Sequence, residues 1–136
     1  MDAIEREVTL PVEPEEAWAL LTRPEDLPRW LGAEVDLDPE PGRPGRVLDH
    51  DGTLRRLVVE TVDAGRRIAW RWWSDEAPLE VSRVEISLVP VEHGTTVHVV
   101  EELAGVSPAK AQVGAAWSHR LLHLEALLLV AAAVRA

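Results

Sequence analysis

A chain of 136 residues with no cysteine and a formal net charge of −10 is long enough to close one hydrophobic core, and disulfides, thiolate metal sites and cysteine nucleophiles are all excluded. The negative charge opposes nucleic-acid phosphate and anionic membrane surfaces, so neither is expected as a partner. Six tryptophans stand with no phenylalanine and no tyrosine, so any aromatic wall in this protein is built of indole.

Met1 is followed by Asp2, Glu5 and Glu7 without the basic and apolar segments of a leader, so no signal peptide and a cytoplasmic location are expected. Residues Ile4 to Leu10 alternate and predict a strand ended by Pro11. Pro14, Glu15 and Glu16 put proline and acids where a first helical turn favours them, and Ala17 to Leu21 continue as a short helix. Thr22 with Glu25 three residues on has the form of a capping box, with Pro24 in the first turn of a second short helix that reaches Trp30 and stops at Gly32.

Residues Ala33 to Leu37 can form a strand, whereas the proline- and glycine-rich run from Asp38 to Gly45 predicts an exposed connection. Strands are expected at Arg46 to His50 and Leu54 to Val62, joined by the turn signal Asp51-Gly52. Further strands follow at Arg67 to Trp73, Glu80 to Val89 and Thr95 to Leu103. Their connections are Ala64-Gly65, a polar loop from Ser74 to Pro78, and His93-Gly94. Gly105 and Pro108 separate this region from the last element, residues 109–134. There Val113, Trp117, Leu121, Leu124, Leu128 and Ala132 recur at spacings of three and four, one face of a long helix. From Ala126 to Val134 the helix is apolar on every side, which calls for burial all round or a partner, and a homodimer through Leu127 to Val130 is expected. The run is well short of the roughly 20 residues that span a bilayer.

The order is therefore strand, two short helices, six strands, long helix. Strands joined by short turns pair as antiparallel neighbours, and one helix must be reached from both sides by one sheet. The expected class is α+β, a single helix-grip domain over residues 1–136. Its curved antiparallel sheet of about seven strands wraps the long C-terminal helix.

Alternation then assigns faces. Arg71 faces water more cheaply than a core, which sends Ile68, Trp70 and Trp72 inward and Trp73 outward. Val84, Ile86 and Leu88 turn inward against Glu85 and Ser87; Val97, Val99 and Glu101 turn inward against Thr96 and His98. Leu57, Val58 and Val59 are consecutive, so the register of residues 55–62 stays open and a bulge is possible. Trp30, Trp70, Trp72 and Trp117 surround one volume, which is either a packed indole core or the wall of a small-molecule site. A buried indole N–H requires an acceptor, and this interior offers few. Trp18, beside Leu21, reads as structural. Glu101 could orient a ligand or act as a base with a raised pKa; the alternative is a solvated strand end beside Glu102.

His119 and His123 have the i, i+4 spacing of a zinc-binding pair. The segment lacks the glutamate of a HExxH motif, shows no third ligand and carries Arg120, so no metal is expected. Phosphate loops, nucleophile elbows and paired-carboxylate motifs are absent from the sequence, and no cofactor is expected.

Taken together, Glu16 to Glu25, Arg29 to Gly32, Arg66 to Trp72, Ser82 to Ile86, His93 to Val99 and Gly114 to Trp117 resemble the START-like, or SRPBCC, superfamily. Within it they resemble the branch of activator of heat-shock-protein-90 ATPase homologues. The resemblance implies a helix-grip fold with a cavity for a hydrophobic small molecule; the superfamily holds lipid and hormone binders, polyketide cyclases and chaperone activators. The resulting reading is non-catalytic binding of a hydrophobic or amphipathic, lipid- or polyketide-like molecule between the sheet and the C-terminal helix. The inward residues named above, with Leu121 and Leu124, would line the site. One alternative is a cyclase- or aromatase-like enzyme that shapes a chain in the cavity and uses a polar group such as Glu101. Another is a chaperone-activator-like interaction module, which would use exposed Trp73 and the apolar helix end.

Overall fold

The structure is a computed structural model that describes residues 2–104 and 110–135, with side chains as far as Leu128. Its elements are β1 (Ala3–Leu10), α1 (Pro14–Thr22), α2 (Leu27–Trp30), β2 (Glu34–Asp36), β3 (Pro44–Leu48), β4 (Leu54–Asp63), β5 (Arg67–Ser74), β6 (Ala77–Val91), β7 (Gly94–Glu102) and α3 (Lys110–Arg135). The seven strands form one antiparallel sheet in the order β1-β7-β6-β5-β4-β3-β2. Strands β2 to β7 are a meander, and β1 closes the far side by pairing with β7. The sheet curls into a half-barrel with α3 against it, the α+β helix-grip arrangement. The connection from β1 to β2 must cross from one sheet edge to the other, and α1 and α2 fill that crossing.

Alternation sets the inner face as expected. Ile68, Trp70 and Trp72 of β5 are buried, with Val84, Ile86 and Leu88 of β6, Val97, Val99 and Glu101 of β7, and Trp117, Leu121 and Leu124 of α3. The register of β4 resolves into a bulge at Glu60, between the pairs Val59–Trp70 and Thr61–Ala69. Leu57 and Val59 face the core while Val58 is 38 % exposed. The bulge aims Glu60 at Arg83, 2.8 Å away, and at Arg71, 2.6 Å away. These hydrogen bonds, Arg83's first, hold the Glu60 carboxyl below the usual carboxylate range.

Local expectations needed three corrections. Thr22 does not cap a second helix: it is the last residue of α1, and its hydroxyl donates to the Trp18 carbonyl at 2.8 Å. Helix α2 begins only at Leu27, with proline in its first turn. The loop from Ser74 to Pro78 shrinks to a turn at Asp75 and Glu76, because the Ala77 N–H donates to Ser74 Oγ at 3.2 Å and β6 starts there. Strand β3 runs from Pro44 to Leu48, which leaves Asp49 and His50 in the turn before β4; proline is tolerated at a strand's first residue. Of the expected self-association surface, Leu127 and Leu128 are half-buried and border a groove with Leu20 and Arg29, while the side chains of Leu129 and Val130 lie outside the described residues.

Gly94 marks where β7 leaves its turn beside the end of β1. A Cβ there would collide with the Leu10 carbonyl, and backbone cannot swing aside as a flexible side chain can. Gly94→Ala is expected to destabilise the fold by about 1–3 kcal/mol in urea unfolding; a midpoint equal to that of the parent would contradict this packing.

Candidate functional site

The inner ends of β5 and β7 bring Trp72 and Glu101 together under α3. Glu101 is 2 % exposed, and both of its oxygens are engaged. Oε2 accepts from Trp72 Nε1 at 3.1 Å, and Oε1 accepts from Trp117 Nε1 at 2.7 Å. A carboxylate of this kind orients both rings at once. Trp72 and Trp117 stack at 6.0 Å between centroids, inclined by 27°, and Trp70 meets Trp72 edge-on at 5.8 Å.

Two guanidinium groups cover these indoles. The Arg120 Cζ lies 4.6 Å from the Trp117 ring centre and 5.2 Å from that of Trp72; the Arg55 Cζ lies 4.9 Å from Trp72. Such placement over aromatic faces is favourable, more so when desolvated. Arg120 is 5 % exposed, yet its donors are used. Nε donates to the Leu31 carbonyl at 3.1 Å and Nη2 to Asp49 Oδ1 at 2.7 Å. The other Asp49 oxygen accepts from Arg55 Nε at 2.8 Å. The result is Glu101 bonded to the two indoles, and Arg120, Asp49 and Arg55 linked in series above them, so that each buried charge is paired or hydrogen-bonded, as burial demands.

Outside this chain lies a groove of about 530 Å³ between the β3–β4 turn and α3. Asp49, His50, Asp51 and Arg55 form one wall; Gln112, Val113, Ala115, Ala116, His119 and Arg120 form the other. The turn is fixed by Gly52, whose φ of 89° favours glycine, and by the Thr53 N–H, which donates to Asp51 Oδ1 at 2.9 Å. That bond, with the Thr53 hydroxyl, lowers the Asp51 carboxyl below its usual range. At the rim His50, His119 and His123 cluster. Burial, then the neighbouring charges of His119 and His50, push the His123 imidazole below its ordinary 6.5. Its unfolded form therefore takes up the proton first, so its contribution to stability is lost as pH falls below about 6.5.

The residues expected to line a ligand site are thus together, but one layer deeper than this groove. Trp30, Ile68, Trp70, Trp72, Val84, Ile86, Leu88, Val97, Val99, Trp117, Leu121 and Leu124 belong to one buried cluster with Glu101 among them. Trp18 packs against that cluster half-buried. Among the described residues, Trp30 Nε1 and Trp70 Nε1 are buried donors without an acceptor, an arrangement that costs about 1–3 kcal/mol each. Sequence reasoning missed Asp49, Arg55 and the site role of Arg120. One signal was available: Arg120 falls three residues after Trp117 and four before Leu124, on the buried face of α3.

The Activator of Hsp90 ATPase homolog 1-like protein family model matches residues 11–129. Several solved structures share the fold. DynU16, a protein in the dynemicin biosynthetic locus, is 24 % identical with a TM-score of 0.85 over 94 % of this chain and 47 % of its own. The present chain therefore spans about half of DynU16. Protein MLL2253 from Mesorhizobium loti is 23 % identical with a TM-score of 0.80 over 93 % of this chain and 96 % of its own. The Aha1 dimer from Colwellia psychrerythraea is 17 % identical with a TM-score of 0.77 over 92 % of this chain and 94 % of its own. No curated protein matches. Among the described residues, no helix is long and apolar enough to cross a membrane.

Removing one partner of the buried Arg120–Asp49 pair strands the other. Asp49→Ala is expected to cost about 3–5 kcal/mol in denaturant unfolding, and adding Arg120→Met should recover part of that loss. A single substitution costing under about 1 kcal/mol would show the pair to be solvated.

Proposed function

The chain belongs to the Activator of Hsp90 ATPase homolog 1-like family, and on that footing we propose that it binds a hydrophobic or amphipathic small molecule, lipid- or polyketide-like, without transforming it. The carrying observation is the groove between the β3–β4 turn and α3, where Arg55 and Arg120 separate the opening from the buried pair Trp72 and Trp117 beneath. Its walls mix a short apolar strip, Val113, Ala115 and Ala116, with the polar ends of Arg55, Gln112 and Asp51. That mixture suits a ligand with an apolar body and a polar end. The apolar body of the ligand rests on the strip and its polar end meets Arg55, Gln112 or Asp51.

Non-catalytic binding is favoured over a cyclase-like activity by Glu101. Both of its oxygens already accept from indoles, so in this arrangement it positions rings rather than moving a substrate proton. The cyclase-like reading draws support from DynU16, placed in a biosynthetic locus. The Aha1 relative is a dimer, and self-association through the end of α3 is proposed here on the same footing.

Emission from this chain comes from tryptophan alone, because it has no tyrosine. Titration with fatty acids and with aromatic polyketides is expected to shift that emission saturably for one class. Ala116→Leu, which fills the groove, should weaken the binding about tenfold or more while changing stability by under about 0.5 kcal/mol. Silence from both classes, or binding indifferent to Ala116→Leu, would end this assignment.

A further inference from the structure

His119 and His123 face the same side of α3, with ring centroids 4.2 Å apart. The fold adds what the sequence did not show, a third imidazole from a remote element. His50, in the β3–β4 turn, lies 5.6 Å from His123 and 6.3 Å from His119, ring centre to ring centre. From these three side chains we infer a binding site for a late first-row divalent metal ion, of the zinc type, at the rim of the groove.

The three rings lie within about 1.3 Å of the spacing the chemistry requires. Three imidazoles bound at about 2.0–2.1 Å around a tetrahedral ion hold their ring centres roughly 5 Å apart, and the observed separations of 4.2, 5.6 and 6.3 Å bracket that value. Among the described residues no group of three such side chains is placed to hold a metal ion as it stands, so binding requires the rings to rotate. His50 and His119 are exposed and His123 only half-buried, which makes such rotation cheap. The two backbone anchors are firm: an i, i+4 pair on one helix, and a turn fixed by Gly52 and the Asp51–Thr53 bond. Imidazole donors suit zinc, nickel, copper and iron rather than magnesium or calcium.

The electrostatic objection raised by Arg120 is removed by its position. The guanidinium points into the protein, against Trp117 and onto Asp49, and Arg55 is held by the same carboxylate. Asp51 contributes a further negative charge on the turn beside His50. The carboxylate-paired histidines, His93 with Glu92 and His98 with Glu5, lie elsewhere. His50 and His119 also line the groove, so the ion's remaining coordination position would face that space.

The test is calorimetric titration of the whole chain with zinc chloride, with cobalt(II) absorption as the report of a tetrahedral site. The expected result is one ion per chain at about neutral pH, weakened about tenfold or more by His50→Ala, His119→Ala or His123→Ala. Binding should weaken on acidification, because imidazole binds a metal only in its neutral form. His50→Gln serves as a second variant, and circular dichroism confirms that each variant is folded. His93→Ala, at an exposed and distant histidine, should leave the binding unchanged. No heat with about 100 μM zinc, or binding that survives His50→Ala and His50→Gln, overturns the site; the second result would reduce it to a two-histidine surface contact. Groove occupancy plays no part in this readout, so it stands or falls separately from small-molecule binding.

Discussion

A single buried carboxylate joins the two halves of this protein. Glu101 comes from β7, Trp72 from β5 and Trp117 from α3, and the two indole N–H groups meet on its two oxygens. A carboxylate removed from water is costly unless its lone pairs are filled, so its presence dictates how α3 must sit on the sheet. The helix can neither slide nor turn without orphaning Glu101. Arg120, one turn further along, then falls over the same rings and reaches Asp49 and the Leu31 carbonyl. Through Asp49 the arrangement extends to the β3–β4 turn, and the groove is the space left between that turn and the helix.

Much of this was legible in the sequence because it follows from period and cost. Arg71 cannot be buried cheaply, and that one residue decides the facing of Ile68, Trp70 and Trp72 on β5. The three- and four-residue spacing from Val113 to Leu124 decides the inner face of α3. Glu101 turns inward by alternation with His98 and the valines, although its partners could not be read. What was illegible depends on contacts between remote segments. Asp49 and Arg120 are 71 positions apart, and no local pattern pairs them. His50 is likewise invisible as a companion of His119 and His123 until β3 and α3 are placed. The misplaced cap at Thr22 is a local failure with a local cause: its hydroxyl finds the Trp18 carbonyl within α1, and the motif cannot tell a helix's last residue from the next one's cap.

The same packing separates scaffold from function. The tryptophan interior is closed by its own contacts and by the Arg120–Asp49 pair, while small residues on α3, Ala115 and Ala116, leave the groove open above it. The fold is shared at 17–24 % identity with DynU16, MLL2253 and the Aha1 dimer, and a shared fold does not carry a function with it.

Indole N–H resonances report the central interaction most directly. In a proton–nitrogen correlation spectrum of this chain, the signals of Trp72 and Trp117 should lie downfield of the other four of six and exchange slowly with deuterated water. Trp30 and Trp70 should be protected without that downfield shift, because they lack acceptors. Glu101→Gln should move the Trp72 and Trp117 signals and leave those of Trp18 and Trp73 in place. If the Trp72 and Trp117 signals exchange as fast as those of Trp18 and Trp73, or ignore Glu101→Gln, the carboxylate does not hold helix to sheet and the account fails.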